Sequence, residues 1–458
     1  MKRRFTFVSA AGAENLSMRS FELLDGLEVT DRELADTAHI LRRLTLTIGP
    51  RDARARLDEH GSADAVLEAV LAAPPVPFEP PGDLDVGLDD VPKALEDSDR
   101  MLVWWLDRMR APASGLHERM VWFWHTVITT SVDKAPTLAC WRQLRTFHEH
   151  ALGNFGQLVR AMLDDLALFV YLDADGSQRT EPNENLSREL LELFTLGIGN
   201  YTQADVSAGA HVLAGRRLDW EAGTIIVDEN QPRPGRQDYL GQPEVRTLDD
   251  LVAAILASDA CAAFIVHRVW DHFVGGEIDQ SLIDDWSALF RSGGYEIAPL
   301  MDAVVRSDAF RSARLTRPRT GLEWFLAAIA VTGHDEWSVW DLNSVGQLPY
   351  RPPNVAGWPG TTRWTSSTAM LGRGSWITWF APPVVEQLIA GGVVADGGDG
   401  LVDRILEHCS MFEVTERSRR ALGALASELL PFEPDGDPTL AVTAVLRAAT
   451  LTPEFTLS

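Results

Sequence analysis

From residue 93 onward, apolar residues recur at three- and four-residue steps, broken only by short Pro- or Gly-marked turns. This periodicity constrains the fold most, because it puts an apolar stripe on each helix and obliges every stripe to find another. PKALEDSDRMLVWWLDRMR, GLHERMVWFWHTVITTS and APTLACWRQLRTFHEHALG follow one another in this way, and DACAAFIVHRVWDHFVGG continues the pattern. Earlier, DRELADTAHILRRLTL and SADAVLEAVLAAP show the same steps, with Ser62 placed to cap the second. One stretch, RRLDWEAGTIIVDENQP, sets β-branched residues after an Ala-Gly turn and predicts a β-hairpin. The expected fold is mainly α: a large multi-helix domain with one small β-hairpin and long loops rich in Pro, Gly and Trp.

Punctuation sets the expected organisation. Residues 1–75 read as an N-terminal helical segment, and the Pro- and Asp-rich 76–92 as a linker or strap. Residues 93–395 read as the main helical domain, with 396–458 as C-terminal helices packed on it. Three short apolar helices, in LVAAILASDACAAF, LMDAVVRSDAF and VTAVLRAATLTPEF, each run into a Ser or Thr expected to cap the next turn. A chain of 458 residues, 45% hydrophobic and 23% charged, has ample material for a core.

Charge narrows the partners. A formal net charge of -25 without a basic run excludes a polyanion, so no nucleic acid and no anionic membrane surface is expected. No uncharged apolar stretch nears the roughly 20 residues that span a bilayer. Cys140, Cys261 and Cys409 lie far apart, which excludes a zinc ribbon or disulfide scaffold and fits a reducing compartment. The start, MKRRFTFVSAAGAENLS, is basic, but Thr6 and Ser9 break its apolar run, so a cytoplasmic location is expected. Fifteen Trp leave two readings, core packing or a stacking platform for a sugar or aromatic ligand.

The densest chemistry lies in EPNENLSRELLELFTLGIGNYTQADV. At about 100° per residue, Glu184, Arg188, Glu189 and Glu192 share one arc, opposite Leu186, Leu190, Leu191, Leu193 and Phe194. The spacing allows a solvated ladder of four-residue ion pairs. It equally allows the wall of a site, since two glycines and a Thr202–Asp205 capping pair fix the corner beyond it. His125, in FWHTVITTSVDK, is either a buried core histidine or an acid–base group. RPPNVAGWPGTTRWTSSTAMLGRG carries Arg351, Asn354, Trp358 and Trp364 on a loop stiffened by prolines, suited to ligand recognition or to plugging the core. His148 and His150 are two apart and His267 and His272 five apart, and there is no HExxH. No metal and no cofactor are therefore expected.

These same blocks (FWH, HALGNF, YLD, NENLSRELLELFTLGIGNYTQADV, PPNVAGWPG with RWTSST, and the closing TPEF) resemble a bacterial family, domain of unknown function 1800, over roughly residues 38–458. The resemblance implies no agreed activity. It does imply a neighbourhood, because genes of that family often lie beside those of family 1501, which resembles sulfatases and alkaline phosphatases. The chain departs from the family pattern in places. Val127 stands where the family has a second His, and Pro232, Arg233 and Gln237 stand at its later His, Asp and Lys positions. Two functions follow as expectations. In one, Glu184 or Glu189 is a general base, Arg188 orients a small anionic or sugar-like substrate, and His125 shuttles a proton; Glu192, Arg351, Asn354, Trp358 and Trp364 bind that substrate. In the other, the protein is a non-catalytic binding or scaffold partner of a sulfatase- or phosphatase-like protein.

Overall fold

The computed structural model describes residues 27–46, 48–49, 52–79, 91–111, 115–219, 222–231, 235–334, 336–358, 360–430 and 436–458. The expected strap at 76–92 lies outside these over 80–90, as do Pro232, Arg233 and the first 26 residues.

Helices follow one another from Arg32–Leu44 to Pro453–Thr456, so the fold is mainly α. Local chemistry starts and stops them. Ser62 accepts from the Ala65 N–H, and Thr202–Asp205, Thr247–Asp250 and Thr320–Glu323 form reciprocal boxes that satisfy the exposed N–H groups of a first turn. Of the three repeated Ser/Thr positions, Ser307 caps through its side chain, whereas Ser258 and Thr452 do not. The helix Gly321–Thr332 is apolar around most of its circumference and buried along nearly all of it, the pattern of a central rod. Gly333, at φ 65°, ends it in the left-handed conformation that glycine adopts without strain.

The predicted hairpin is present: Arg216–Asp219 pairs antiparallel with Thr224–Val227, Arg216 opposite Val227. The expectation of a single hairpin is corrected. A second joins Gln237–Tyr239 to Gln242–Val245. Its turn residues Leu240 and Gly241 both have positive φ, 51° and 75°, which matches the twist of a tight hairpin. It escapes a β-branched search because QDY and QPEV hold one β-branched residue between them. A third pair has no local signal at all: Leu27–Val29 runs against Glu413–Thr415, tying the first described segment to the last part of the chain.

One hydrophobic cluster extends from Leu34 to Phe455. Most tryptophans belong to it: Trp105, Trp122, Trp124 and Trp324 are fully buried, and Trp141, Trp270, Trp286 and Trp376 nearly so, while Trp364 is buried outside it. Among the described residues, Trp340 and Trp379 stand in solvent. Among the described residues no single helix is long and apolar enough to cross a membrane.

Candidate functional site

The helix Asn185–Glu189 widens into a π-helical turn, Leu190–Thr195, where Leu196 N–H reaches back to the Leu191 carbonyl (2.9 Å) and Thr195 Oγ1 donates to the Leu190 carbonyl (2.6 Å). Leu186, Leu190, Leu191 and Phe194 anchor one side in the core. On the other, Arg188 Nη2 donates to Glu184 Oε2 (2.9 Å) and to Gln203 Oε1 (3.1 Å), and Gln203 Nε2 donates to the same Glu184 oxygen (2.8 Å). Glu192 Oε2 accepts from the Tyr201 hydroxyl at 2.5 Å. The Glu184 and Arg188 side chains keep 34% and 38% of their exposure, so the pair is wetted and screened. Partial burial, then the neighbouring Glu192 charge, raises the Glu189 pKa against the pull of Arg188. Burial and the bond to Glu192 raise that of Tyr201.

The corner beyond is built by exclusion. Gly197 has φ 81°, and a Cβ there would stand 2.9 Å from a Phe264 ring carbon. Asp205 then accepts from the Leu240 N–H (2.7 Å), clamping the corner to the second hairpin.

His125 lies elsewhere, with no exposed surface. Its Nε2 accepts from the Tyr350 N–H at 3.0 Å, and the Tyr350, Trp105 and Trp358 rings surround it at 4.2, 5.2 and 5.4 Å. Burial alone lowers its pKa to about 3, so the ring is neutral at pH 7. The Arg351 loop folds over this histidine: the Trp358 ring lies against it at a tilt of 58°, and a Cβ on Gly357 would touch the Thr126 carbonyl at 3.4 Å. Arg351 pairs with Asp99 (3.4 Å) and Asp133 (3.6 Å). Asn354 is exposed and accepts from the Ala356 N–H of its own loop (2.9 Å). Trp364 is buried, its ring facing Gly321.

The structure therefore brings His125, Trp358 and Arg351 into one region, and Glu184, Arg188, Glu189 and Glu192 into another. Among the described residues no hydrogen bond, ion pair or ring contact joins the 184–192 segment to the 351–364 loop. Separate polar contacts lie between their surroundings: Asn185 donates to the Leu172 carbonyl (3.1 Å), Asp173 pairs with Lys134 (2.7 Å), and Asp133 meets Arg351.

Sequence reasoning missed one constellation. His117, Glu118 and His148 offer ligand atoms within 4.8 Å of one another. His117 opens the helix Leu116–Val127 and His148 closes the helix Thr137–His150, and packing the two helices juxtaposes these ends. Pairing such ends across a short turn is the signal that a search along one helix overlooks. Glu118 already accepts from Trp105 Nε1 and Arg108 Nε, both at 3.0 Å, and Arg108 Nη2 lies 3.3 Å from His148 Nδ1. A cation entering here would meet the Arg108 guanidinium in the place it needs.

A family model described as "Protein of unknown function (DUF1800)" matches residues 39–457. No curated protein and no solved structure is matched.

Proposed function

From the premise that this chain belongs to the DUF1800 family, a family of unknown function, we propose that it is a non-catalytic binding protein that docks a sulfatase- or phosphatase-like partner. One observation carries this reading: Trp340, Leu371 and Trp379 are 79%, 69% and 78% exposed. They form one face. A Cβ on Gly372 would touch the Ser344 carbonyl at 2.7 Å, and the His334 ring lies 4.3 Å from that of Phe380, so Ser344 and His334 meet the helix Ser367–Phe380 near its first and last turns. Trp340 then sits beside the middle of that helix, whose outward stripe is Leu371, Ser375 and Trp379 at four-residue steps.

Charge supports a protein partner there. The chain carries 66 acidic residues, yet none falls between Asp341 and Glu386. An acidic body repels like-charged proteins, and the helix that bears Leu371 and Trp379, free of acidic residues, is where one can approach with less of that penalty. The gene neighbourhood that the family resemblance implies suggests the partner class, and the three buried cysteines, free of disulfides, fit a cytoplasmic setting. The test is co-elution of the purified chain with a protein of family 1501. The wild type is expected to co-elute, and Trp340→Ser with Trp379→Ser to weaken the complex at least tenfold while leaving thermal stability nearly unchanged. Unaltered binding by the double variant rejects this face, and self-association through it assigns the face to a second copy.

The catalytic reading keeps one supporting observation: a π-helical turn, a rare element often found at functional sites, begins directly after Glu189, whose pKa is raised, and carries Glu192. Glu189 is then the base, with Arg188 orienting the anion, and His125 is walled off from it. Turnover of nitrophenyl phosphate, sulfate or glycoside that Glu189→Gln abolishes favours this reading; no turnover removes it.

A further inference from the structure

A recess between the helices Arg32–Leu44, Ala63–Ala72 and Ile297–Arg306 shares no lining residue with either surface. Its volume is about 220 Å³. That is room for one small metabolite, and less than the roughly 300–1,000 Å³ of drug-sized sites. Its buried walls are apolar, formed by Ile40, Leu67, Val305 and Phe310, and the His39 ring lies 5.0 Å from that of Phe310.

His39 is a lining residue and the one buried polar group of this floor, and its bonding fixes its tautomer. Nε2 lies 2.8 Å from the Phe310 carbonyl, which can only accept, so Nε2 carries the hydrogen. Nδ1 is then a bare lone pair, and among the described residues it has no partner. Burial, then the charges of Arg43 and Arg42, hold the ring's pKa well below its usual value, so Nδ1 stays an acceptor. Arg43 is one of five arginines, with Arg119, Arg317, Arg319 and Arg373, buried around the Glu323 carboxylate. A buried acceptor without a donor is costly, and a ligand is one way to answer it.

The rim carries both signs. Arg32 pairs with Asp36 (3.5 Å) and Arg311 with Asp64 (2.9 Å), and both pairs are open to water. Pairs so exposed are weak, and either partner can turn to a ligand at little cost. Glu33 accepts from the Ala63 N–H (2.8 Å) through one oxygen; its other oxygen accepts nothing among the described residues. Arg314 differs: it is nearly buried, held by Asp36 and by Glu413 (2.7 Å), and belongs to the frame.

We infer that this recess binds a free α-amino acid whose side chain ends in a hydroxyl group. The charges decide the head group. Three guanidinium groups and three carboxylates line the recess, so an ion of either sign is attracted by one set and repelled by the other. A zwitterion meets both, its carboxylate at Arg32 and Arg311 and its ammonium at Glu33 and Asp36. The floor decides the side chain, with carbon against Leu67, Val305 and Phe310 and a terminal hydroxyl donating to His39 Nδ1. An amide would bring a carbonyl to a floor whose histidine offers it no donor. A side chain without a donor leaves the lone pair unanswered, a difference that separates isosteres more sharply than a missing methylene does.

The experiment is isothermal titration calorimetry on the whole chain, comparing L-threonine with L-valine and L-tyrosine with L-phenylalanine. One hydroxylated member is expected to bind, with its partner at least about tenfold weaker. The matching amine without the carboxylate and the matching hydroxy acid without the ammonium are expected to lose at least about tenfold as well. Arg32→Gln with Arg311→Gln, both at the exposed rim, is expected to weaken binding by at least about tenfold with the melting temperature nearly unchanged. His39→Leu is expected to erase the preference for the hydroxyl; if it does not fold, the rim variant and the analogues decide. No binding of either hydroxylated amino acid, equal binding within both pairs, or full binding by the rim variant overturns the inference.

Discussion

Of the carboxylates that hold guanidinium groups, Glu184 and Glu323 mean opposite things. Glu184 meets Arg188 at 2.9 Å on a helix face with about a third of each side chain in water. Glu323 meets Arg317 at 2.7 Å, and Arg119 too, where almost no surface is left. At the surface, solvent solvates either partner alone, so the pair adds only a few tenths of a kcal/mol. In the core, water is no alternative, and removing one partner strands the other. The difference is the dielectric and not the chemistry. It explains why the more conspicuous charge pattern in the sequence is the less consequential for the fold.

The largest effect that sharpens this contrast comes from Glu323→Gln. The substitution keeps the shape but leaves Arg119 and Arg317 without their anion, and a loss of about 3–5 kcal/mol is expected in chemical denaturation. A loss below about 1 kcal/mol would mean that the arginines are solvated or neutralised by another route.

A buried group without a counter-charge sharpens it next. His125 has a folded pKa of about 3, against about 6.5 when unfolded, because burial disfavours the imidazolium. The unfolded chain therefore binds the proton more readily. The His125 contribution is complete above about pH 6.5 and declines as pH falls toward 3, by up to about 1.4 kcal/mol per unit. Urea denaturation at pH 7, 6 and 5 should show a shallower acid slope in His125→Gln, whose side-chain oxygen can still accept from Tyr350. An unchanged slope would place His125 in contact with water.

Much of the fold was legible because helices are written locally. Apolar steps, the Thr202–Asp205 and Thr247–Asp250 boxes and the first hairpin each depend on residues a few positions apart. What failed to show depends on distance. The Leu27–Val29 strand finds its partner near residue 414, and nothing in either tripeptide announces the other. The candidate site was legible as chemistry but not as geometry. The Glu184–Glu192 arc is there, and the Trp358 loop does close over His125, yet periodicity could not tell which arcs face one another. The Glu323 cluster was invisible for the same reason. Arg43, Arg119 and Arg373 come from three helices separated by long stretches of chain, and each alone reads as a surface residue.

The most direct measurement is a pair of double-mutant cycles, one for Glu323 with Arg119 and one for Glu184 with Arg188, read by chemical denaturation under one set of conditions. The account predicts a coupling of about 2–3 kcal/mol for the buried pair and about 0.3–0.5 kcal/mol for the surface pair. Equal couplings, or a larger one at Glu184, would contradict it.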